Sequence, residues 1–368
     1  MNTGKHNGYP VSPRPLQGFS LVELMIAMVI GLVLMAGVIT IFLGGQQTYR
    51  MTDELSRIQE NTRFAIDRVQ QDGRMAGFRG GITFTITNHL DQNSPDYDVT
   101  LFDGPPVIGW EGSGTGPDDD HTISESTAGA GNWSNGDGIP LPDALDGNVI
   151  TGNDVLLINR LRDTQCPLDG NPQPPATTIN TDGSCGIPQD EIVVVAMDDL
   201  TGADFFQKTN AESAFTITRG GGQQPGNATP GADLLNHTDD SRVFVASSSA
   251  YYIGVGASGD LALFHRNLIG PNQVSEELIS GVENMQILYG VNDGTNRRVI
   301  DYLPADQVSD WDSVGSVRLT LLLRSADRIR DDVDENIYNL LGTRVSVAED
   351  RRVRKVATTT IAVRNRLD

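Results

Sequence analysis

The sequence predicts an α+β protein. A long N-terminal α-helix, membrane-spanning in its lower half, packs on an antiparallel β-sheet domain with large loops. Three observations predict it. Leu24–Leu43 is a run of twenty residues with Thr40 as the one polar member and no charge. Met51, Leu55, Ile58, Thr62, Ala65 and Val69 then recur at spacings of four and three, which is one face of a helix. After Gly81, short runs rich in β-branched residues alternate with stretches dense in Gly, Asp, Pro, Asn and Ser.

Residues 1–18 read as a leader carrying Lys5 and Arg14 and no acid. Residues 19–45 form the apolar helix. At about 1.5 Å per residue, Leu24–Leu43 spans roughly 30 Å, the thickness of a hydrocarbon core. The run is longer than the apolar region of an ordinary secretory signal, and a polar helix follows it. Basic residues before it leave the N-terminus in the cytoplasm and export the rest. Glu23 stands at the edge of the run, where a carboxylate costs free energy unless it reaches the headgroups or finds a partner. Residues 46–80 continue the helix, with Glu54–Arg57 and Arg63–Asp67 as surface pairs. The helix is expected to end near Ala76, with Gly73, Gly77 and Gly80-Gly81 as stop signals, and Gly31, Gly37 or Gly44-Gly45 as possible bends.

Residues 81–368 read as the β-rich domain. Strands are expected at Asp154–Leu161, Glu191–Met197 and Val314–Leu323, and SAYYIGVGASGDLALFHR reads as two strands around a Gly-rich turn. The stretches 104–148, 163–189 and 220–232 read as loops. Cys166 and Cys185 are too far apart for a CxxC pair, and two thiols do not complete a zinc site. In an exported domain they would close a disulfide, stabilising by roughly 3 kcal/mol; otherwise they are two buried thiols. The 48 acidic residues against 27 Lys plus Arg give a net charge of −21, or −23 once Lys5 and Arg14 are removed. Such a surface repels nucleic acid, so direct nucleic-acid binding is not expected.

Gly18-Phe19-Ser20-Leu21-Val22-Glu23, after a short basic leader and before an unbroken apolar run, resembles the class III signal of type IV pilins and pseudopilins. The resemblance implies that prepilin peptidase cuts between Gly18 and Phe19, that Phe19 becomes an N-methylated terminus, and that Glu23 is needed for assembly. In a filament its carboxylate would neutralise the terminal amine of a neighbouring subunit within an apolar bundle. Further on, LALFHRN, LISGVENMQILYGVN, SVRLTLLLRS and KVATTTIAVRNRL resemble the C-terminal half of PilW-type minor pilins. That implies a non-catalytic minor subunit that helps initiate pilus assembly within a minor-pilin complex at the tip. Its partners would be other minor pilins, the major pilin and a tip adhesin, with the inner membrane held by the helix and no cofactor. It would be anchored in the inner membrane and later displayed on the surface pilus. A minor pseudopilin of type II secretion shares the same signal, and a membrane-tethered enzyme or binding protein could borrow it.

Other patterns carry less. Many PilW-type proteins have a cation-like loop after the LYGV strand. Here it is reduced to Asn292-Asp293-Gly294-Thr295-Asn296, which reads as a turn. Gly254, Gly256 and Gly259 fit GxGxxG, but the residues that follow read as a strand, so this too is a turn. Asp118-Asp119-Asp120-His121 reads as a solvated acidic loop. His6, His89, His121, His237 and His265 are scattered, with no HExxH, GxSxG or Walker A sequence, so no metal or catalytic residue is assigned. The basic stretch Arg351, Arg352, Arg354, Lys355, Arg364 and Arg366 reads as charge that pairs with the chain's own carboxylates along a final strand; a dock for an acidic partner is the other reading.

Overall fold

The computed structural model describes residues 18, 20–82, 86–123, 128–129, 131–170, 177–221, 224–228, 233–293 and 298–363. The chain divides into two compact units, residues 1–53 and residues 54–368. Helix α1 (Leu21–Arg74) begins in the first and ends in the second.

Within residues 1–53 the backbone stays helical through Gly31, Gly37, Gly44 and Gly45. The residues between them are mostly Leu, Met, Ala and Ile, whose helix-forming tendency outweighs the loss of about 1 kcal/mol at each glycine. Thr40 donates its hydroxyl to the Ala36 carbonyl at 2.9 Å. The lone polar group of the apolar run is thereby satisfied within the helix.

In residues 54–368, α1 buries Glu54, Ile58, Thr62, Ala65, Val69, Asp72 and Gly73. The predicted stripe holds from Ile58 to Val69. At its start it differs: Leu55 is half-buried and Met51 is exposed, while Glu54 is buried. The physical reason is a specific acceptor role, since Glu54 Oε2 takes the Ala326 N–H at 3.0 Å. A residue with a side chain at Gly73 would set its Cβ 2.8 Å from Ile361 Cγ2, so this glycine lets the helix approach the sheet closely. The helix stops at Arg74, and Gly77 follows with φ +69°, a conformation that favours glycine.

The strands follow in chain order: β1 (Ile86–Asn88), β2 (Val107–Gly112), β3 (Asp120–Thr122), β4 (Trp133–Ser134), β5 (Val155–Asp163) and β6 (Thr178–Asn180). Next come β7 (Ile192–Ala196), β8 (Ala203–Gln207), β9 (Thr216–Thr218), β10 (Arg242–Val255), β11 (Leu261–Asn267) and β12 (Ser275–Ser280). The last are β13 (Val282–Asn292), β14 (Val299–Leu303), β15 (Val314–Arg324), β16 (Ile337–Leu340), β17 (Thr343–Ser346) and β18 (Arg354–Ala362). One nine-stranded sheet runs β1-β8-β7-β10-β5-β2-β4, with β11 on β10 and β12 on β11. A second runs β14-β13-β15-β18. Pairing is antiparallel except at β1–β8 and β17–β3.

The fourteen residues of β10 bind the larger sheet, pairing Val243 with Val195, Tyr251 with Leu156 and Tyr251 with His265. The expected strand pair around the Gly-rich turn is β10–β11. Two stretches read as loops contain strands: β2, β3 and β4 lie within 104–148, and β6 within 163–189. Strands of two or three residues leave no period to read, and β2 is buried along its whole length, so it shows no alternation. Trp110, Tyr251, Tyr289, Ile287 and Leu319 belong to the main core, which α1 joins through Ile58, Ala65 and Val69.

Candidate functional site

Ser20-Leu21-Val22-Glu23 opens α1. The Leu24 N–H bonds to the Ser20 carbonyl at 3.0 Å, and the Ser20 N–H donates to Glu23 Oε2 at 3.4 Å. This is the acidic half of a capping box, in which a Glu in the first turn reaches back to the residue before the helix. The carboxylate also sits at the positive end of the helix dipole. Glu23 therefore has a local partner in the single chain. Gly18 is exposed; Phe19 and the basic leader lie outside the described residues. Every large apolar side chain from Leu21 to Leu43 is at least 50% exposed, with Ile41 at 78%. The helix is long and apolar enough to cross a membrane. Leaving so much apolar surface in water is unfavourable at about 25 cal/mol per Å², so this face requires lipid or other helices around it.

The basic stretch near the C-terminus is turned inward at its centre. Arg354, whose side chain is fully buried, reaches Glu283 at 2.6 Å, Asp350 at 2.8 Å and Asp334 at 3.1 Å. Burial alone would lower its pKa, but the hydrogen bonds to Glu283 and Asp350 outweigh that and raise it. Arg324 extends the chain of charges from Glu283 to Asp260. Arg352 donates to the Ser325 and Ala326 carbonyls and lies near Asp350. Arg364 and Arg366 are outside the described residues.

Other sequence patterns land as local structure. Gly256 and Gly259 make the β10–β11 turn, with the Gly256 N–H on the Asp260 carbonyl, while Gly254 lies within β10 opposite Ala262. Asp120 is clamped by Arg344 Nε and Nη2 at 2.7 and 2.8 Å. His265 packs on Tyr251, and His121 is half-buried against Gly152. Asn292 and Asp293 are described, but the turn at Gly294–Asn296 is not. Cys166 and Cys185 form a disulfide with Cα atoms 5.2 Å apart. No group of three His, Cys, Asp or Glu among the described residues is placed to hold a metal ion.

Three buried polar clusters escaped the sequence reading. Asp72 accepts from the Tyr251 hydroxyl at 2.5 Å and from Arg160 at 2.9 Å, tying α1 to β10 and β5. Asp204 receives His89 Nε2 on one oxygen at 2.7 Å and His237 Nε2 on the other at 2.8 Å. Burial pushes this carboxyl up, but the bonds from His237, His89 and the Leu235 N–H prevail and hold it below the ordinary value. Asp154 accepts from the Gly112 and Ile287 N–H groups, so one side chain joins the two sheets. Burial raises Asp154 to about 8, and burial together with Asp154 raises Glu111 to about 10. Glu111, Asp154 and Asp204 each sit in or beside an apolar run (VIGWEG, DVLLI, ADFFQ), and that mismatch was their one available signal; Asp72, within QQDGR, had none. A small cleft of about 70 Å³ lies beside the end of α1, lined by Phe78, Arg79, Leu101, Phe102, Arg160 and Phe205. These clusters tie elements together, and none places a nucleophile against a base in a cleft.

Residues 250–365 match the family described as type IV pilus-assembly protein W, and residues 15–39 match the prokaryotic N-terminal methylation motif. The first match covers β11 to β18, including Glu283, Arg324 and Arg354. Neither the curated proteins nor the solved structures gave a match to the chain.

Proposed function

We propose that this PilW-type type IV pilin is a non-catalytic minor subunit that helps initiate pilus assembly, within a minor-pilin complex at the filament tip. What carries the reading is the methylation motif on a helix whose apolar side chains, Leu21 to Leu43, have no cover within the chain. Prepilin peptidase cuts between Gly18 and Phe19, and Phe19 becomes the methylated terminus. The helix then rests in the inner membrane, with residues 54–368 on the periplasmic side, until it exchanges lipid for sister helices. Glu23 supplies the counter-charge for a neighbour's terminal amine. Other minor pilins, the major pilin and a tip adhesin are the partners; the long loops between strands suit a filament end better than a repeating unit.

The test joins mass spectrometry of the membrane-bound chain with an assembly assay of Glu23→Ala. A methylated Phe19 terminus together with fewer surface pili supports the reading. A mature chain beginning at Met1 in cells with active peptidase overturns it. Labelling spread evenly along whole pili would contradict the tip placement.

A further inference from the structure

The outer face of the four-stranded sheet carries one charge and no carboxylate to meet it. The ladders give its cross-strand rows: Gln286–Thr320–Thr358, Leu288–Arg318–Thr360 and Tyr302–Gly290–Ser316–Ala362. The opposite face, with Met285, Ile287, Leu319 and Ile361, belongs to the main core. The first row is largely covered within the chain, since Gln286 and Thr320 are buried and Gln286 donates to the Gly152 carbonyl at 3.2 Å. The other two rows are open. Thr360 and Ala362 are exposed, Leu288, Arg318 and Tyr302 are half-buried, and Ile300 on the strand of Tyr302 is exposed.

Arg318 is built into this face. A Cβ at Gly290 would lie 2.3 Å from Ser316 Oγ and 3.1 Å from Tyr302 Cε1. The missing side chain lets the Tyr302 ring lie across the sheet, where its hydroxyl meets Ser316 Oγ at 3.1 Å. Arg318 Cζ stands over that ring, 3.9 Å from its centroid. Stacking fixes the plane of the guanidinium in advance, so little freedom is lost when its N–H groups are engaged. Among the described residues those groups donate no hydrogen bond and meet no carboxylate, although the chain holds 48 acidic residues. Arg324, Arg344 and Arg354, by contrast, are each bonded to carboxylates.

We propose that the open rows around Arg318 dock a different polypeptide through an Asp or Glu side chain set in an otherwise uncharged patch. Charge complementarity selects this occupant. The planar fork of an arginine matches a carboxylate bidentately, and one cation with no second beside it suits a singly charged carboxylate better than a phosphate dianion. A free small acid would reach Arg318 alone and leave the ion pair in water, where it is worth little. A protein surface would also cover Leu288, Thr360 and Ala362 and shield the pair. A second copy docking by the same face does not fit, because it sets two Arg318 groups together and supplies no acid.

The test places a photoreactive amino acid at Thr360, opposite Arg318, in the full-length chain within the cells that produce it, with the cross-linked peptide then sequenced. The expected adduct is on a different polypeptide, at a peptide holding Asp or Glu. Arg318→Gln should cut the adduct by about tenfold while the chain accumulates normally, since no hydrogen bond among the described residues is lost. Arg318→Glu should abolish it, and replacing the partner's acid with Arg should then restore it. No adduct, an adduct on a second copy, one on a peptide without an acid, one indifferent to Arg318→Gln, or a charge swap that restores nothing would overturn the proposal. The inference rests on residues 54–368 and goes beyond the assembly reading: cross-linking and the Glu23→Ala assay can each fail alone.

Discussion

Glu23 does two things that substitution can separate. Its carboxylate caps the Ser20 N–H in the isolated chain, and in the proposed assembly it supplies a charge. Gln at this position keeps a capping acceptor and removes the charge. If the charge matters, Glu23→Gln should impair piliation as severely as Glu23→Ala while the chain accumulates normally in the membrane, measured by surface-pilus yield against membrane-bound protein. Normal piliation by Glu23→Gln would mean the cap was the requirement. The buried acids make a second residue-scale prediction. Glu111 and Asp154 have folded pKa values raised to about 10 and about 8 from 4.5 and 3.8, so the folded state holds protons that the unfolded chain releases. Their contribution is fully present below the unfolded values and is lost as pH rises, by up to about 1.4 kcal/mol per pH unit for each proton held. Thermal unfolding should therefore move to lower temperature between pH 5 and pH 8, less steeply in Glu111→Gln. Asp204 works in the opposite sense: its depressed pKa gives stability above the ordinary carboxyl value that disappears as pH falls below it.

Among the elements, β18 is held from three directions. β15 supplies its ladder, α1 meets it through Gly73 against Ile361 and Gln70 on Thr359 at 2.5 Å, and Arg354 anchors its start. Replacing Arg354 with Leu leaves Glu283, Asp334 and Asp350 without their shared cation, a loss of about 3–5 kcal/mol expected for a broken buried pair. Urea denaturation would register it as a lower midpoint, and an unchanged midpoint would show that the network relaxes around the gap. The disulfide acts on a different element. It closes a stretch with a sequence separation of 19 that holds β6 and the loop before β7. The Cys166→Ala, Cys185→Ala double variant should lose about 3 kcal/mol by the chain-entropy argument, with cluster residues Leu168, Ile179 and Ile217 exchanging amide protons faster than the β10 core.

For the whole molecule, the chain divides at Asp53 into two units whose surfaces differ in character. Residues 54–368 carry the paired charges and the core, while the first unit carries an apolar surface made for lipid or helices. The full chain should partition into membranes or detergent, and a chain starting at Glu54 should remain in aqueous solution after sedimentation. The N-terminal signal and the apolar span were legible because they depend on local composition: length, absence of charge, and a Glu at a set distance from Gly18. The stripe Ile58–Val69 and the long β-branched strands were legible for the same reason, since period and propensity act within a few residues. The exchange of Leu55 for Glu54 on the buried face was not, because it depends on an N–H supplied by Ala326, far along the chain. Nor were Tyr251 and Arg160 as partners of Asp72, His89 and His237 as partners of Asp204, or Glu283 as partner of Arg354, each supplied from more than 30 residues away. Sequence by itself determined what the helix must avoid, which is water; tertiary structure decided where each buried charge finds its counterpart, because desolvation penalises every arrangement in which distant segments fail to bring the opposite group within hydrogen-bond reach.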